Sequence, residues 1–185
     1  KEDSKDILTA CLNGVLRVSE IVTNLKQFSK KGTDEFSLTN LVDVIGDSLA
    51  IVANKVKYKH EVSINHTSDN LIINGNFGQL QQVFVNLFIN AIDAMPDTGI
   101  LSIQTLSKNN EVIIVVKDNG VGMKSEAVTR IFEPFYTTKG DSKGTGLGLS
   151  VSYAIITKHN ATINVDTIKD KGTTFTLTFP CYSTA

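Results

Sequence analysis

The stretch "GQLQQVFVNLFINAIDAM", residues 78–95, has a composition that few surface helices share. Its length and the stop signals Pro96 and Gly99 predict a helix over about Phe77–Met95. The segment is apolar almost all round, yet Gln79, Gln82, Asn86, Asn90 and Asp93 gather in a sector roughly 80° wide at about 100° per residue. Most other positions are Leu, Phe, Val, Ile or Ala, with Gln81 the main exception. A helix this apolar is packed over most of its surface, and buried amides without partners cost a few kcal/mol. The stripe therefore either faces water or lines a wet cleft. In a cleft its amide oxygens meet hard cations, since magnesium takes oxygen ligands, keeps several waters and leaves room for substrate phosphates. Asn90, at the middle of the stripe, is the residue expected to hold such an ion.

Outward from this helix the chain alternates helical and extended patterns. Ser37 or Thr39 is positioned to cap a preceding helix that carries Leu41, Val42, Ile45, Leu49 and Val52 on one side. "HEVSIN" (60–65) alternates like a strand, and "LIIN" (71–74) reads as a short buried one. Beyond Gly99, "ILSIQTL" and "EVIIVVKD" flank the turn "SKNN" as a hairpin, and "ATINVDT" and "TTFTLTFP" form a second hairpin around "IKDKG". Helices are expected at about 124–131 and 147–159. The fold class that follows is α/β, a two-layer sandwich of a mixed sheet with helices on one face, preceded by a long N-terminal helix.

That first helix places Leu8, Cys11, Val15, Val18, Val22 and Leu25 at alternating spacings of three and four, the seam period of a coiled coil or helical bundle. The polar "KKGTDEF" (30–36) marks the expected boundary between residues 1–31 and a domain over 37–182.

Two further loops carry candidate chemistry. "VIIVVKDNGVGM" (112–123) delivers Asp118 from an apolar strand into a turn with Gly120 and Gly122. Either this is an ordinary turn, or its carboxylate accepts from an exocyclic amine such as that of adenine, the glycines letting a flat ring approach the backbone. "RIFEPFYTTKGDSKGTGLGLS" (130–150) has aromatic residues Phe132, Phe135 and Tyr136 that can pin one end of a polar, lid-like loop. Lys139 can reach a phosphate from it. "GTGLGL" opens the next helix, so free backbone N–H groups point at any anion there. It follows no strand, which argues against a dinucleotide-binding fingerprint.

Together and in this order, these signals resemble the catalytic, ATP-binding domain of sensor histidine kinases, which have the Bergerat fold. "NLFINAIDAM" resembles the N box, "DNGVGM" the first glycine box, "FEPFYTTK" the F box, "GTGLGLS" the second glycine box and "KGTTF" the last glycine-threonine element. The resemblance implies ATP and Mg²⁺ as cofactors, with Mg²⁺ on Asn90 and the phosphate end supported by Asn86, so that Asn86, Asn90 and Lys139 carry the catalysis. It implies that Asp118 bonds the adenine amine, directly or with a water held partly by Thr173. Asp93, Ala94, Gly120, Gly122, Met123 and Thr145 complete the binding set, and the amides of Gly146, Leu147, Gly148 and Leu149 cradle the phosphates. Gyrase and chaperone relatives hydrolyse ATP with a glutamate one helical turn before the magnesium asparagine. That place is Asn86 here, an amide that is no base at neutral pH, so kinase is favoured over ATPase. A non-catalytic nucleotide-sensing module of the same fold is the alternative.

"LRVSEIVTNLKQFSK" (16–30) resembles the second helix of the family's dimerisation hairpin, so the phospho-accepting histidine would stand on a helix absent from this chain. None of His60, His66 and His159 is expected on a bundle helix. The partners implied are ATP or ADP, the histidine-bearing helix, a response-regulator receiver domain and, in the parent, a second copy. A net charge of −1 advertises no nucleic acid. Cys11 and Cys181 have no metal-ligand spacing and read as thiols of a reducing compartment. A cytoplasmic location is expected for this part, whether or not its parent is anchored in a membrane.

Overall fold

The elements run β1 (Ser37–Asn40), α1 (Leu41–Val56), β2 (His60–His66), β3 (Ile72–Gly75), α2 (Phe77–Ala94), β4 (Gly99–Lys108), β5 (Glu111–Asp118), α3 (Ser125–Val128), α4 (Gly148–Lys158), β6 (Thr162–Ile168) and β7 (Gly172–Pro180). They are seen in a computed structural model that describes residues 11, 14–15, 35–56, 59–68, 71–139 and 144–182. The seam expected over residues 1–31 lies outside the described residues, apart from 11, 14 and 15, which are helical.

Five strands form one mixed sheet in the order β2–β4–β5–β7–β6, and β1 and β3 make a separate antiparallel pair. Within the large sheet only β2 and β4 run parallel, and the connection between them passes through β3 and α2. Strand alternation separates the two faces. Leu101, Ile103, Val112, Ile114, Val116, Phe175, Leu177 and Phe179 are buried, while Gln104, Lys117 and the threonines 174, 176 and 178 lie on the other side, exposed or half-buried. Helices α1, α2 and α4 pack on the apolar face with α2 between the other two. This is the expected two-layer sandwich.

Helix α2 is the centre of the core. Leu80, Val83, Phe84, Leu87, Phe88, Ala91 and Ile92 are all buried, and the rings of Phe84 and Phe88 lie 6.1 Å apart. Removing one such ring costs about 3–5 kcal/mol. The helix starts at Asn76, whose Oδ1 accepts from the Gln79 N–H at 2.9 Å.

Three expectations need correction. Ser37 and Thr39 do not cap α1, because both lie in β1; the Oδ1 of Asn40 accepts the Val42 N–H at 3.0 Å instead. β3 is not buried throughout: Ile73 and Gly75 point inward and Ile72 and Asn74 outward, as alternation in a two-stranded ribbon requires. The first hairpin turn is tighter than "SKNN", with β4 continuing to Lys108. Asn109 and Asn110, at φ of 54° and 61°, make the two-residue connection.

His159 ends α4 and ties it to α2. The residue is 3% exposed. Nδ1 donates to the Ile155 carbonyl at 2.7 Å, and Nε2 accepts the Asn76 N–H at 3.0 Å. Both ring nitrogens are thus committed in the neutral form, which removes this histidine as a phosphoacceptor. Burial, assisted by the Lys158 charge and opposed by the Ile155 bond, holds its pKa below the usual 6.5. The unfolded chain therefore binds a proton that the folded one refuses as pH falls below about 6.5, and stability drops across that window. Urea denaturation at pH 7.5 and 5.5 should show a lower midpoint at 5.5. In His159→Gln the decrease should shrink, whatever the variant's absolute stability; an undiminished decrease would assign the effect to other groups.

Candidate functional site

Asp118 ends β5 with 5% of its surface exposed. Its Oδ1 accepts the Gly120 N–H at 2.8 Å and the Thr173 N–H at 3.3 Å. Both bonds fall on one oxygen, and among the described residues no other residue donates to Oδ2. Burial raises the pKa of this carboxyl above 3.8, and the backbone N–H groups of Gly120, Thr173 and Asp118 itself work against that rise.

The turn after Asp118 is fixed on three sides. The Val121 N–H donates to the Ala94 carbonyl at 3.0 Å, the Asp170 N–H to the Val121 carbonyl at 2.8 Å, and the Met123 N–H to the Thr167 hydroxyl at 2.9 Å. Two glycines permit this. Gly122, at φ 60°, would drive a Cβ into the Ile168 carbonyl, and Gly172, at φ 105°, would drive one into the carbonyl of Asp118 itself. The first glycine turn, the end of α2 and the β6–β7 turn therefore meet around one carboxylate.

One turn back along α2, the polar stripe is half-buried except for the exposed Asp93. Three of its members face other elements: Asn86 meets α4, and Asn90 and Asp93 meet the loop after α3. The Lys139 ammonium bridges Asp93 Oδ2 at 2.7 Å and Asn90 Oδ1 at 3.2 Å. The pair is about one-third exposed and so adds little stability, but it shows that these two oxygens converge on a cation. The amide of Asn86 donates to the Gly148 carbonyl at 3.1 Å and to the Ser152 hydroxyl at 3.3 Å.

The segment opening α4 bends at Gly146, φ 69°, whose carbonyl accepts the Phe135 N–H at 2.9 Å. α4 begins at Gly148 after Leu147, which makes no side-chain capping bond, and the Leu147 N–H meets the Thr145 hydroxyl at a long 3.4 Å. Leu149 packs on the core. The aromatic anchors need one correction. Phe132 lies against Tyr153 with ring centroids 5.1 Å apart, and Tyr136 packs on the core beneath the Arg130 guanidinium. Phe135 is 66% exposed at φ 67°, because its bond to Gly146 turns the side chain outward. Its backbone, not its ring, holds the loop. Residues 140–143 of the expected lid lie outside the described residues.

Sequence reasoning missed Thr167 and Ser152. Thr167 fixes Met123 and touches Gly172 and Thr173; Ser152, fully buried, completes the Asn86 bonds. Both look like ordinary hydroxyls in a strand and a helix, and only the register of distant elements gives them partners. Among the described residues no three His, Cys, Asp or Glu side chains group to hold a metal, and no helix is long and apolar enough to cross a membrane.

Comparison with known proteins is consistent with this arrangement. Residues 75–183, more than half the chain, match the family described as histidine kinase-, DNA gyrase B-, and HSP90-like ATPase. The chain is 36% identical over 179 residues to the sensor kinase CckA of Brucella abortus, covering 89% of this chain and 19% of that protein. It is 40% identical over 142 residues to sporulation kinase A of Bacillus subtilis, covering 76% and 23% respectively. It thus spans about a fifth of each of these two relatives. Among solved structures, the catalytic domain of histidine kinase ThkA superposes with a TM-score of 0.72 at 29% identity, covering 80% of this chain and 96% of that one. ThkA in complex with the response regulator protein TrrA gives 0.76 at 25%, covering 92% and 49%. The chain belongs to the histidine kinase-, DNA gyrase B- and HSP90-like ATPase family, as a catalytic ATP-binding domain of the sensor histidine kinase type.

Proposed function

We propose that this domain binds Mg·ATP and transfers the γ-phosphoryl group to a histidine on a dimerisation helix outside this chain, for relay to a response-regulator aspartate. The observation that carries the reading is the pairing of a buried carboxylate at the end of β5 with a cation-accepting oxygen pair on α2, the helix whose Ala94 carbonyl holds the turn after that carboxylate. Asp118 Oδ2 would accept the adenine amine, with Thr173 contributing through a water. Gly120, Gly122 and Met123 form the floor that lets the ring approach, and Ala94 anchors that floor to α2.

The donors at the other end fit magnesium. Asn90 Oδ1 and Asp93 Oδ2 already converge on the Lys139 ammonium, and magnesium commonly takes only one or two protein oxygens beside phosphate oxygens and water. Asn90 is assigned as its protein ligand. When bound, the ion would neutralise charge on the phosphates. Lys139 would give its charge to a phosphate oxygen in place of Asp93. The N–H groups from Gly146 to Leu149 would receive the phosphates at the uncapped start of α4. Asn86 holds α4 at that distance through Gly148 and Ser152. The chain thus positions the nucleotide and compensates its charge, which is most of what phosphoryl transfer asks of a protein. Any base would come with the acceptor.

The resemblance of "LRVSEIVTNLKQFSK" to the second hairpin helix supports residues 1–31 as part of the dimerising element and 37–182 as the catalytic unit. The ThkA complex with a response regulator supports the kind of downstream partner.

Three outcomes test this. Asp118→Asn should weaken ADP binding about 100-fold by calorimetry, the scale of one lost charge-assisted bond with an N–H now facing the amine. Because burial raises this carboxyl's folded pKa, its ionised form costs stability as pH rises past about 3.8. The same variant without nucleotide should thus denature at an equal or higher urea concentration at pH 7. Unchanged affinity would remove Asp118 from the base site. Asn90→Ala should bind ADP equally with and without Mg²⁺, whereas the parent chain gains affinity with the ion. Finally, labelled ATP mixed with the histidine-bearing hairpin of the full protein should label the hairpin, with little phosphate release in its absence. Binding without labelling would favour a nucleotide-sensing module.

A further inference from the structure

We infer that Thr167 is a positioning residue that sets the hydrogen-bond polarity of the base site, by forcing the Thr173 hydroxyl to present only lone pairs to the nucleotide. This rests on the proposed nucleotide reading and sharpens it into a statement about base selectivity.

The argument counts protons. A threonine hydroxyl has one O–H to give and two lone pairs to accept with. Thr167 Oγ1 lies 3.0 Å from the Gly172 carbonyl, which can only accept, so its proton goes there. Its lone pairs face the Met123 N–H at 2.9 Å and the Thr173 hydroxyl at 3.2 Å. The Met123 contact can only be an acceptance. With its own proton committed to Gly172, Thr167 can meet Thr173 only by accepting from it. All three capacities are then used, and Thr173 has spent its proton. Thr173 is 6% exposed, and its N–H donates to Asp118 Oδ1, so the residue bonded to the carboxylate carries a hydroxyl with acceptor capacity alone.

A base edge entering beside Asp118 therefore meets two acceptors, Asp118 Oδ2 and Thr173 Oγ1, directly or through a water that must donate to Thr173. An amine satisfies both. A carbonyl at the same ring position, as in hypoxanthine or guanine, faces lone pairs from both. Buried polar groups left unpaired in this way discriminate strongly. If the Thr167 acceptor is removed, the Thr173 O–H is free to rotate and donate to a carbonyl.

The test measures ADP and IDP affinities by calorimetry on the 185-residue chain and on Thr167→Val and Thr167→Ser. The parent should prefer ADP. Thr167→Val, nearly isosteric, should narrow the ADP/IDP ratio by about 10-fold, mainly by weakening ADP, and Thr167→Ser should restore it. Equal losses for both nucleotides with the ratio unchanged would reduce Thr167 to a packing role and overturn the inference, as would a serine variant that behaves like valine. Should Thr167→Val fail to fold, Thr167→Ala removes the same acceptor and must narrow the ratio; an unchanged ratio there overturns the inference as well. A parent chain that binds ADP and IDP equally overturns it alone. A parent that binds neither overturns the proposed function together with it.

Discussion

The carboxylate of Asp118 is the point on which the rest of the molecule is arranged. Burying an ionised carboxyl is costly unless hydrogen bonds repay it, and the rise in its pKa records an incomplete compensation. The two N–H groups that reach it come from residues 2 and 55 positions away along the chain. Bringing them there requires the glycine turn to fold back under the end of α2 and β7 to start against β5. The closeness of those backbones explains why Gly122 and Gly172 have no room for a side chain. A network that satisfies one oxygen and leaves the other open is poor design for stability alone. It is the expected arrangement for a group whose second oxygen meets a ligand.

Helix α2 makes that arrangement rigid. Its apolar sides are held by the sheet, α1 and α4, so its polar edge is presented from a fixed element and not from a loop. The same helix contributes the Ala94 carbonyl to the glycine turn, Asn90 and Asp93 to the cation, and Asn86 to the start of α4. The two ends of the candidate site are therefore kept in register by one piece of secondary structure. His159 adds a second brace by joining the end of α4 to the start of α2.

Much of this was legible in the sequence because period and composition carry it. The apolar ring of α2 survives as a buried face and its polar stripe as a half-buried edge, and both hairpins stand within a few residues of their expected places. What escaped were contacts decided by register between distant strands. Nothing local marks Thr167 as the partner of Met123, or Ser152 as that of Asn86. The cap of α1 escaped for a related reason: Ser37 and Thr39 have good capping chemistry, but strand pairing with β3 takes both residues first. Phe135 was misread as an anchor because hydrophobicity alone suggests burial, whereas a left-handed backbone at that residue turns its ring away.

The residue identity at position 86 gains force from its surroundings. An amide cannot take a proton from water at neutral pH, and that much follows from sequence. The structure adds that the neighbours of Asn86 are built for a donor. Ser152 gives its proton to the Gly148 carbonyl at 2.9 Å, leaving its oxygen as an acceptor, and Asn86 donates to both oxygens. A carboxylate at this place would set a negative charge against a carbonyl and a hydroxyl whose proton is already committed, close to the start of α4. Substituting a general base would therefore require repacking the contact that positions the helix start. The amide at position 86 is thus built into the α2–α4 junction, and under the proposed function it leaves any base to the acceptor.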